Sequence, residues 1–289
     1  MMNKFIITLL LVATVNVAWA QNKPKKSATP PPTDPPLVSV DVSKLPAGTE
    51  QLDLYLLMGQ SNMKGRGVMP EKPMKNPRII NMHLKTDSWF LARHPLHLTG
   101  SSETFKGHDN AGVGPGLAFA EALAQRFSKS RIGLVPCAVG GSAMSRWKKG
   151  GPLYKNAIRR AKLALAAGPA GKTKIRGAIW LQGEADARAG KIELYPEALS
   201  KMIEDLRADL GIKDLPFIAC TIGEMRDSAE MQKKMNLILL DLPNRTKNTA
   251  CVDARELKTD IGDKVHFDTA AQEEMGRRFA QEFLKLTGE

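Results

Sequence analysis

Residues 55–63 read Tyr55-Leu56-Leu57-Met58-Gly59-Gln60-Ser61-Asn62-Met63, an apolar run that stops at a glycine and is followed by a serine. The run from Leu52 to Met58 is apolar except for Asp53, which is typical of a strand buried on both faces of a sheet. Gly59 allows the chain to turn sharply as it leaves this strand. Because ligands bind at the carboxyl ends of parallel strands, Ser61 is a candidate nucleophile at the mouth of a cleft. The alternative is a serine that only caps the next turn.

Strand-like and helix-like segments alternate along the rest of the chain. Further strands are predicted over 131–139, 175–181, 215–222 and 249–253, and helices over 116–127, 152–167, 194–210 and 229–242, with a last helix after 267. Two short strand-like pieces, at 78–82 and 89–92, are predicted to form a hairpin or a sheet edge. This alternation predicts an α/β fold in three layers, α/β/α, with a doubly wound parallel sheet of about five strands.

The first 20 residues have the features of a secretory signal peptide. Lys4 precedes an apolar stretch over 5–18, and Ala18-Trp19-Ala20 forms a small-x-small cleavage site, so we expect cleavage after Ala20. The protein is therefore predicted to be secreted or periplasmic. The apolar stretch is too short for a membrane anchor, and no other segment has a spanning length, so no membrane span is predicted in the mature chain.

A change in composition predicts where the folded domain begins. Residues 21–48 are rich in lysine and proline, with Pro30–Pro32 and Pro35-Pro36 favouring extended polyproline geometry. We expect a disordered linker over 21–48 and a single α/β domain over 49–289, which is long enough to bury a sizeable core. The sequence does not indicate the oligomeric state.

The formal net charge of +12 does not by itself indicate a nucleic-acid partner. The basic residues are scattered along the predicted helices and are not interleaved with aromatic residues, so we predict no nucleic-acid binding. Cys137, Cys220 and Cys251 each lie in or beside an apolar strand-like run. An odd, widely spaced set of cysteines is not a disulfide framework, and buried free thiols are predicted, with a single bridge as the alternative.

Four predicted strand ends carry polar or glycine-rich clusters, and these clusters should converge at one edge of the sheet. They are Gly59-Gln60-Ser61-Asn62, Gly140-Gly141-Ser142, Gln182-Gly183-Glu184-Ala185-Asp186 and, after the last strand, Asp263-Lys264-Val265-His266. Taken singly, each cluster has a simpler interpretation as a turn or a solvated loop. Taken in this order, they supply the groups that acyl transfer requires.

Serine is a weak nucleophile and requires a base within hydrogen-bonding distance, for which His266 is the candidate. Asp263 lies three residues earlier and can orient the imidazole. Backbone N–H groups at Ser61 and at Gly140 or Gly141, with the Gln182 amide as a third donor, can stabilise an oxyanion. The remaining histidines lie between 83 and 108 without metal-ligand spacing, so neither a metal nor an organic cofactor is predicted.

With these motifs in hand, the sequence resembles the SGNH (GDSL-like) hydrolases, in particular the branch of sialate O-acetylesterases and carbohydrate esterase family 6, which includes acetyl xylan esterases. The similarity rests on residues 59–63, on Gly140–Ser142 with Trp147, on Trp180–Asp186, and on the closing block Asp263–Phe267. Glutamine at 182 replaces the asparagine of other SGNH enzymes.

The resemblance implies a flavodoxin-like SGNH fold and a carbohydrate acetylesterase domain over 49–289. It implies Ser61 as the nucleophile, His266 as the base and Asp263 as the orienting acid, with Glu184 as the alternative acid. It also implies an oxyanion hole made by Ser61, Gly141 and Gln182. Residues expected to contact substrate or to support the site are Gln60, Asn62, Gly140, Glu184 and Trp147.

The substrate implied by the resemblance is an acetylated carbohydrate, either a polysaccharide such as xylan or a sialic acid. Position alone suggests that Met63 or Trp147 lines a small acyl pocket and that Lys64 places a charge at its rim. Two other functions are open. A lipase or thioesterase of the same superfamily would need a large apolar cleft, and a non-catalytic carbohydrate-binding protein would not need Ser61, Asp263 and His266 intact.

Overall fold

A computed structural model of the protein describes residues 37–70, 76–98, 110–225 and 229–289. These residues lie in one compact unit, Asp34–Glu289. The predicted signal peptide, 1–20, and the first part of the predicted linker, 21–36, lie outside the described residues.

The sheet has seven strands in the order β3-β2-β4-β1-β5-β6-β7. The strands are β1 (Gln51–Gly59), β2 (Ile79–Met82), β3 (Trp89–Leu91), β4 (Ser130–Pro136), β5 (Thr173–Leu181), β6 (Phe217–Cys220) and β7 (Thr249–Val252). All neighbouring pairs are parallel except β2 and β3. The predicted doubly wound α/β fold is confirmed. The sheet is wider than the five strands expected, because the predicted hairpin joins it at the β4 edge.

Helices cover both faces of this sheet. They are α1 (Ser61–Lys64), α2 (Gly116–Arg126), α3 (Pro152–Ala167), α4 (Glu184–Arg188), α5 (Tyr195–Leu210), α6 (Glu230–Leu240), α7 (Leu242–Arg245) and α8 (Thr269–Thr287). Among the helices in the described ranges, none is long and apolar enough to cross a bilayer.

The side chains of β1 alternate between two hydrophobic clusters, as the period of a strand requires. Leu54 and Leu56 belong to the cluster that includes buried residues of α3, α5 and α6, whereas Tyr55 and Leu57 belong to the cluster that includes those of α2 and α8. The rings of Tyr55 and Phe283 meet edge to face, with centroids 5.4 Å apart. β1 is therefore buried on both faces in the middle of three layers, as its sequence predicts.

The folded domain begins earlier than the sequence suggests. Ser39 forms an antiparallel bridge with Phe90 of β3, and the N–H of Val40 donates to the carbonyl of Trp89. Val42 is buried in the core. The linker predicted over 21–48 is thus too long, because the segment from residue 38 covers the outer edge of β3, whose backbone groups would otherwise be unpaired.

The cysteines are free thiols in the described structure. Cys137 and Cys220 are buried and Cys251 is half-buried. The prediction of buried thiols is confirmed for the first two, and the alternative of a single bridge is not formed.

β1 and β5 approach each other so closely at their ends that residue 59 has no room for a side chain. Gly59 has a φ of 129°, and a β-carbon placed on it would lie 2.2 Å from the Leu181 carbonyl oxygen. The same oxygen accepts a hydrogen bond of 2.9 Å from the N–H of Gln60. Gly59 is therefore required both by its backbone conformation and by this contact.

We expect Gly59→Ala to lower the free energy of unfolding by about 3 kcal/mol or more, because the added methyl group clashes with backbone atoms that cannot move freely. Gly171→Ala is the matched control: Gly171 also has a positive φ, of 70°, but a β-carbon there meets nothing within 4 Å. Its cost should be only about 1 kcal/mol, from the backbone conformation. Chemical denaturation followed by circular dichroism measures both values, and equal losses would contradict the steric argument.

Candidate active site

Ser61, His266 and Asp263 form a hydrogen-bonded chain at the carboxyl end of the sheet. The Nε2 atom of His266 lies 2.9 Å from Ser61 Oγ, and its Nδ1 atom lies 2.5 Å from Asp263 Oδ2. The three side chains that the sequence singles out are therefore in contact, in the order that activation of a serine by a base requires.

Local structure positions Ser61 and His266, and Asp263 contributes to the position of His266. Ser61 is the first residue of α1, which follows β1 after a single intervening residue, Gln60. His266 lies on the loop 260–267, here called the His266 loop. The second oxygen of Asp263, Oδ1, accepts hydrogen bonds from the backbone N–H groups of Val265 and His266. Asp263 thus shapes the turn that carries the imidazole as well as binding its ring.

The two carboxylates near the imidazole differ in their contacts. Partial burial alone raises the pKa of Asp263, but the hydrogen bonds from the His266 ring and from the N–H groups of His266 and Val265 lower it below the usual value. Asp263 is therefore ionised at neutral pH. Glu184 makes no hydrogen bond to His266 within the described residues and accepts one from Asn62 instead. Of the two acids left open by the sequence, Asp263 is the one that contacts the imidazole.

A cleft of about 590 Å³ opens onto Ser61 and His266. Its other lining residues are Gln60, Arg66, Gly141, Ala143, Ala185, Arg188 and Val265. A β-carbon placed on Gly140 would lie 3.8 Å from Ser61 Cβ, so the loop 140–143, here called the glycine loop, passes close to the serine. The described strand ends of β1, β4 and β5 and the His266 loop therefore converge on one cleft, as the topology predicts.

Gln182 does not have the geometry that the sequence suggests. Its Nε2 atom donates to Ser142 O at 3.0 Å and to Asp186 Oδ2 at 2.6 Å, and its Oε1 accepts from the Tyr195 hydroxyl at 2.8 Å. The prediction that the Gln182 amide donates to an oxyanion is therefore wrong, because both of its hydrogens are bonded to other groups of the protein. The amide holds the glycine loop against the end of β5.

Three further expectations about side chains near the site are wrong in this structure. Trp147 is fully buried, donates from Nε1 to Ser142 Oγ at 3.0 Å, and packs edge to face on Trp180. Met63 is also buried in the core, so neither residue lines the cleft. Lys64 is 5% exposed and carries no charge to the rim. The charges at the cleft belong to Arg66 and Arg188 instead.

Asn62 and Glu184, which the sequence places among possible supporting residues, bind each other. Asn62 Nδ2 donates to Glu184 Oε1 at 2.7 Å. Glu184 and Asp186 are both less than 10% exposed, which excludes the simpler interpretation of a solvated turn. Gln60 and Gly141 line the cleft directly, and Gly140 lies beside it.

Two other histidines are unsuited to act as bases at neutral pH. Burial lowers the pKa of His94 to about 4 and that of His97 to about 3. Neither lines the cleft. His108 lies outside the described residues. Within the described ranges, no group of three or more His, Cys, Asp or Glu side chains is placed to hold a metal ion.

Sequence reasoning missed Arg188 and Tyr195. Ala185 and Arg188 are three residues apart in α4 and therefore face the same side, which is the cleft. The three-residue spacing in the sequence could therefore have indicated that Arg188 lies beside the site. Tyr195 had none, because its contact with Gln182 depends on how α5 packs against the end of β5.

The chain is similar in sequence to carbohydrate esterases. Residues 51–285 match the family described as carbohydrate esterase, sialic acid-specific acetylesterase. The chain is 32% identical over 249 residues to a probable carbohydrate esterase of Arabidopsis thaliana, covering 80% of this chain and 90% of that one. It is 33% identical over 95 residues to a probable 9-O-acetyl-N-acetylneuraminic acid deacetylase of Escherichia coli K12, covering 27% and 28% of the two chains.

Solved structures show the same fold. An X-ray structure of an Arabidopsis thaliana protein aligns with a TM-score of 0.69 at 32% identity, covering 82% of this chain and 99% of that one. The crystal structure of NanS aligns with a TM-score of 0.62 at 21% identity, covering 83% and 98%. The second likeness supports the fold alone.

We expect a fluorophosphonate, which reacts with base-activated serines, to label the protein at Ser61. Asp263→Asn should slow this labelling about a hundredfold or more, because the imidazole loses the carboxylate that orients it. Peptide mass mapping locates the label and a time course gives the rate. Asp268→Asn is the control, since Asp268 directly follows the His266 loop and caps α8, and it makes no hydrogen bond to His266 among the described residues. Label on another residue, or equal rates in the two variants, would contradict the assignment.

Proposed function

The chain belongs to the carbohydrate esterases of the sialic acid-specific acetylesterase family, and from that premise we propose that it is an exported serine esterase that removes O-acetyl groups from carbohydrate. The single observation that carries the proposed mechanism is the contact chain from Ser61 Oγ through His266 to Asp263. Its order is that of a nucleophile, a general base and an orienting acid.

In the first half of the proposed reaction, Ser61 Oγ attacks the acetyl carbonyl carbon while His266 Nε2 takes the hydroxyl proton. The carbonyl electron pair moves to oxygen and gives a tetrahedral oxyanion. As this collapses, the bond to the sugar oxygen breaks, and that oxygen takes the proton from His266. The products are the free sugar hydroxyl and an acetyl ester on Ser61. Asp263 stabilises the imidazolium throughout.

In the second half, water enters the cleft and attacks the acetyl ester. His266 removes a proton from the water and returns it to Ser61 Oγ as that oxygen leaves, and the acetic acid so formed loses its proton to solvent to give acetate. The proton transfers in both halves run between Ser61, His266, the sugar oxygen and water.

The oxyanion requires hydrogen-bond donors in the cleft. The proposed donors are the backbone N–H groups of Ser61 and Gly141, since both residues line the cleft beside the nucleophile. Gln182 acts indirectly, because its amide holds Ser142, the residue after Gly141, in place. This differs from the direct role that the sequence suggested.

The charge of the cleft supports a sialic acid over xylan as the substrate. Arg66 and Arg188 both line it, and Arg66 Nη1 donates to the Asn110 carbonyl at 3.2 Å while its Nε has no partner among the described residues. Guanidinium groups bind carboxylates through paired hydrogen bonds. A sialic acid carries such a carboxylate, whereas a neutral xylan chain does not.

Export is proposed from the sequence of residues 1–20, which has a basic start, an apolar stretch and a cleavage site after Ala20. An acetylated carbohydrate outside the cytoplasm fits that destination.

We expect the purified protein to release acetate from p-nitrophenyl acetate and from O-acetylated sugars. Ser61→Ala should lower kcat about a thousandfold or more, because no nucleophile remains. Brief reaction of the wild type should add one acetyl group to the peptide that contains Ser61. Ser145→Ala removes an exposed hydroxyl from the segment after the glycine loop and serves as the control. Activity that survives in Ser61→Ala would exclude the serine mechanism.

If the arginines bind a carboxylate, Arg66→Ala and Arg188→Ala should each raise KM for an O-acetylated sialic acid about tenfold. KM for a neutral acetylated xylo-oligosaccharide should change little, because it lacks the anionic group. Arg277→Ala, on the exposed face of α8, controls for the loss of one positive charge. Equal effects on both substrates would contradict the choice of sialic acid.

A further inference from the structure

Glu184 is a buried carboxylate that the proposed reaction does not use directly. It is the first residue of α4, three residues after the last residue of β5, and it is 6% exposed. One oxygen, Oε1, accepts the hydrogen bond from Asn62, which is 122 residues away in sequence. The other, Oε2, has no hydrogen-bond partner among the described residues. A buried carboxylate is costly, so its presence beside the nucleophile calls for a reason.

Asn62 connects this carboxylate to both neighbours of the proposed base. Its Nδ2 atom also donates to the Val265 carbonyl at 3.1 Å, and its Oδ1 accepts from the N–H of Phe267 at 3.2 Å. These bonds hold the residues on either side of His266. Because Asn62 follows Ser61 directly, these two hydrogen bonds set the distance between the serine and the imidazole. Glu184 fixes the orientation of the Asn62 side-chain amide, because an ionised carboxylate can accept a hydrogen bond from the NH₂ group of that amide but cannot donate one to its oxygen.

The surroundings of Glu184 contain positive charge. Burial raises the pKa of Glu184 above its usual value, and the hydrogen bond from Asn62 and the charges of His266 and Arg188 offset this increase only in part. A small cavity of about 20 Å³ adjoins it and is lined also by Arg188, Lys264 and Gln232. Such a volume is large enough for one water molecule.

We propose that Glu184 is a positioning residue of the esterase: its carboxylate orients Asn62, which holds the His266 loop against Ser61, and its negative charge favours the proton on His266 during the reaction. This role rests on the proposed function. It predicts two separate requirements at position 184, one for the reach of the side chain and one for its charge.

Glu184→Gln keeps the length and an oxygen that accepts from Asn62 but removes the charge. We expect kcat on p-nitrophenyl acetate to fall about tenfold with KM within about twofold of wild type. The acidic limb of the kcat/KM profile should move to lower pH by about half a unit, because the imidazole holds its proton less strongly without the carboxylate. Glu193→Gln, which removes an exposed glutamate between α4 and α5, is the matched control and should match wild type.

Glu184→Asp keeps the charge but shortens the side chain by one methylene, so its bond to Asn62 is lost. We expect kcat to fall while the acidic limb stays at its wild-type pH. Thermal unfolding checks that each variant is folded. If Glu184→Gln does not fold, the activity of Glu184→Asp alone tests the positioning role. The proposal is overturned if Glu184→Gln matches Glu193→Gln in kcat and pH profile, or if Glu184→Asp has wild-type activity.

The rate of fluorophosphonate labelling at Ser61 gives a second readout that needs no acetyl ester. If wild type labels but hydrolyses no acetylated compound, the proposed function fails. The labelling rates of Glu184→Gln and Glu193→Gln then still test the positioning role, and equal rates would overturn it.

Discussion

The site depends on the close approach of two backbones, where Gly59 at the end of β1 meets the Leu181 carbonyl at the end of β5. The two strands pair in parallel up to these residues. The contact leaves no space for a β-carbon at position 59. It places Ser61 and Gln182, each just beyond its strand, at one edge of the sheet. Every other feature of the cleft is arranged around a serine whose position is determined by the main chain.

The imidazole reaches this serine from a segment 205 residues later. The His266 loop is shaped locally, because Asp263 accepts hydrogen bonds from Val265 and His266, and Asp260 accepts from Gly262 and Lys264. Its attachment to the sheet is tertiary and passes through Asn62. A loop that is ordered by its own side chains loses less conformational entropy when a few long-range bonds position it. Hydrogen bonds within the loop and the side-chain amide of Asn62 therefore together position the imidazole of His266.

The glycine loop is held by a buried polar network. Ser142 accepts from the Trp147 indole at Oγ and from Gln182 at its carbonyl, and Asp186 accepts from the N–H of Met144. Buried polar groups of this kind are costly unless they are paired, and a paired network favours a single arrangement. The network has an evident use here, because Gly141 must keep its backbone at the cleft while having no side chain to anchor it.

The sequence by itself determined the layers of this protein and the residues that converge on its cleft. β1 is apolar on both faces, and polar clusters follow successive strands. Both patterns are periodic or local. Only the tertiary structure decided that the Gln182 amide faces inward, that Glu184 binds Asn62, that Lys64 is buried and that residues from 38 onward cover β3. The physical reason is that the partner of a loop side chain depends on which distant segment packs against it. No periodic pattern in the sequence indicates which segment that is.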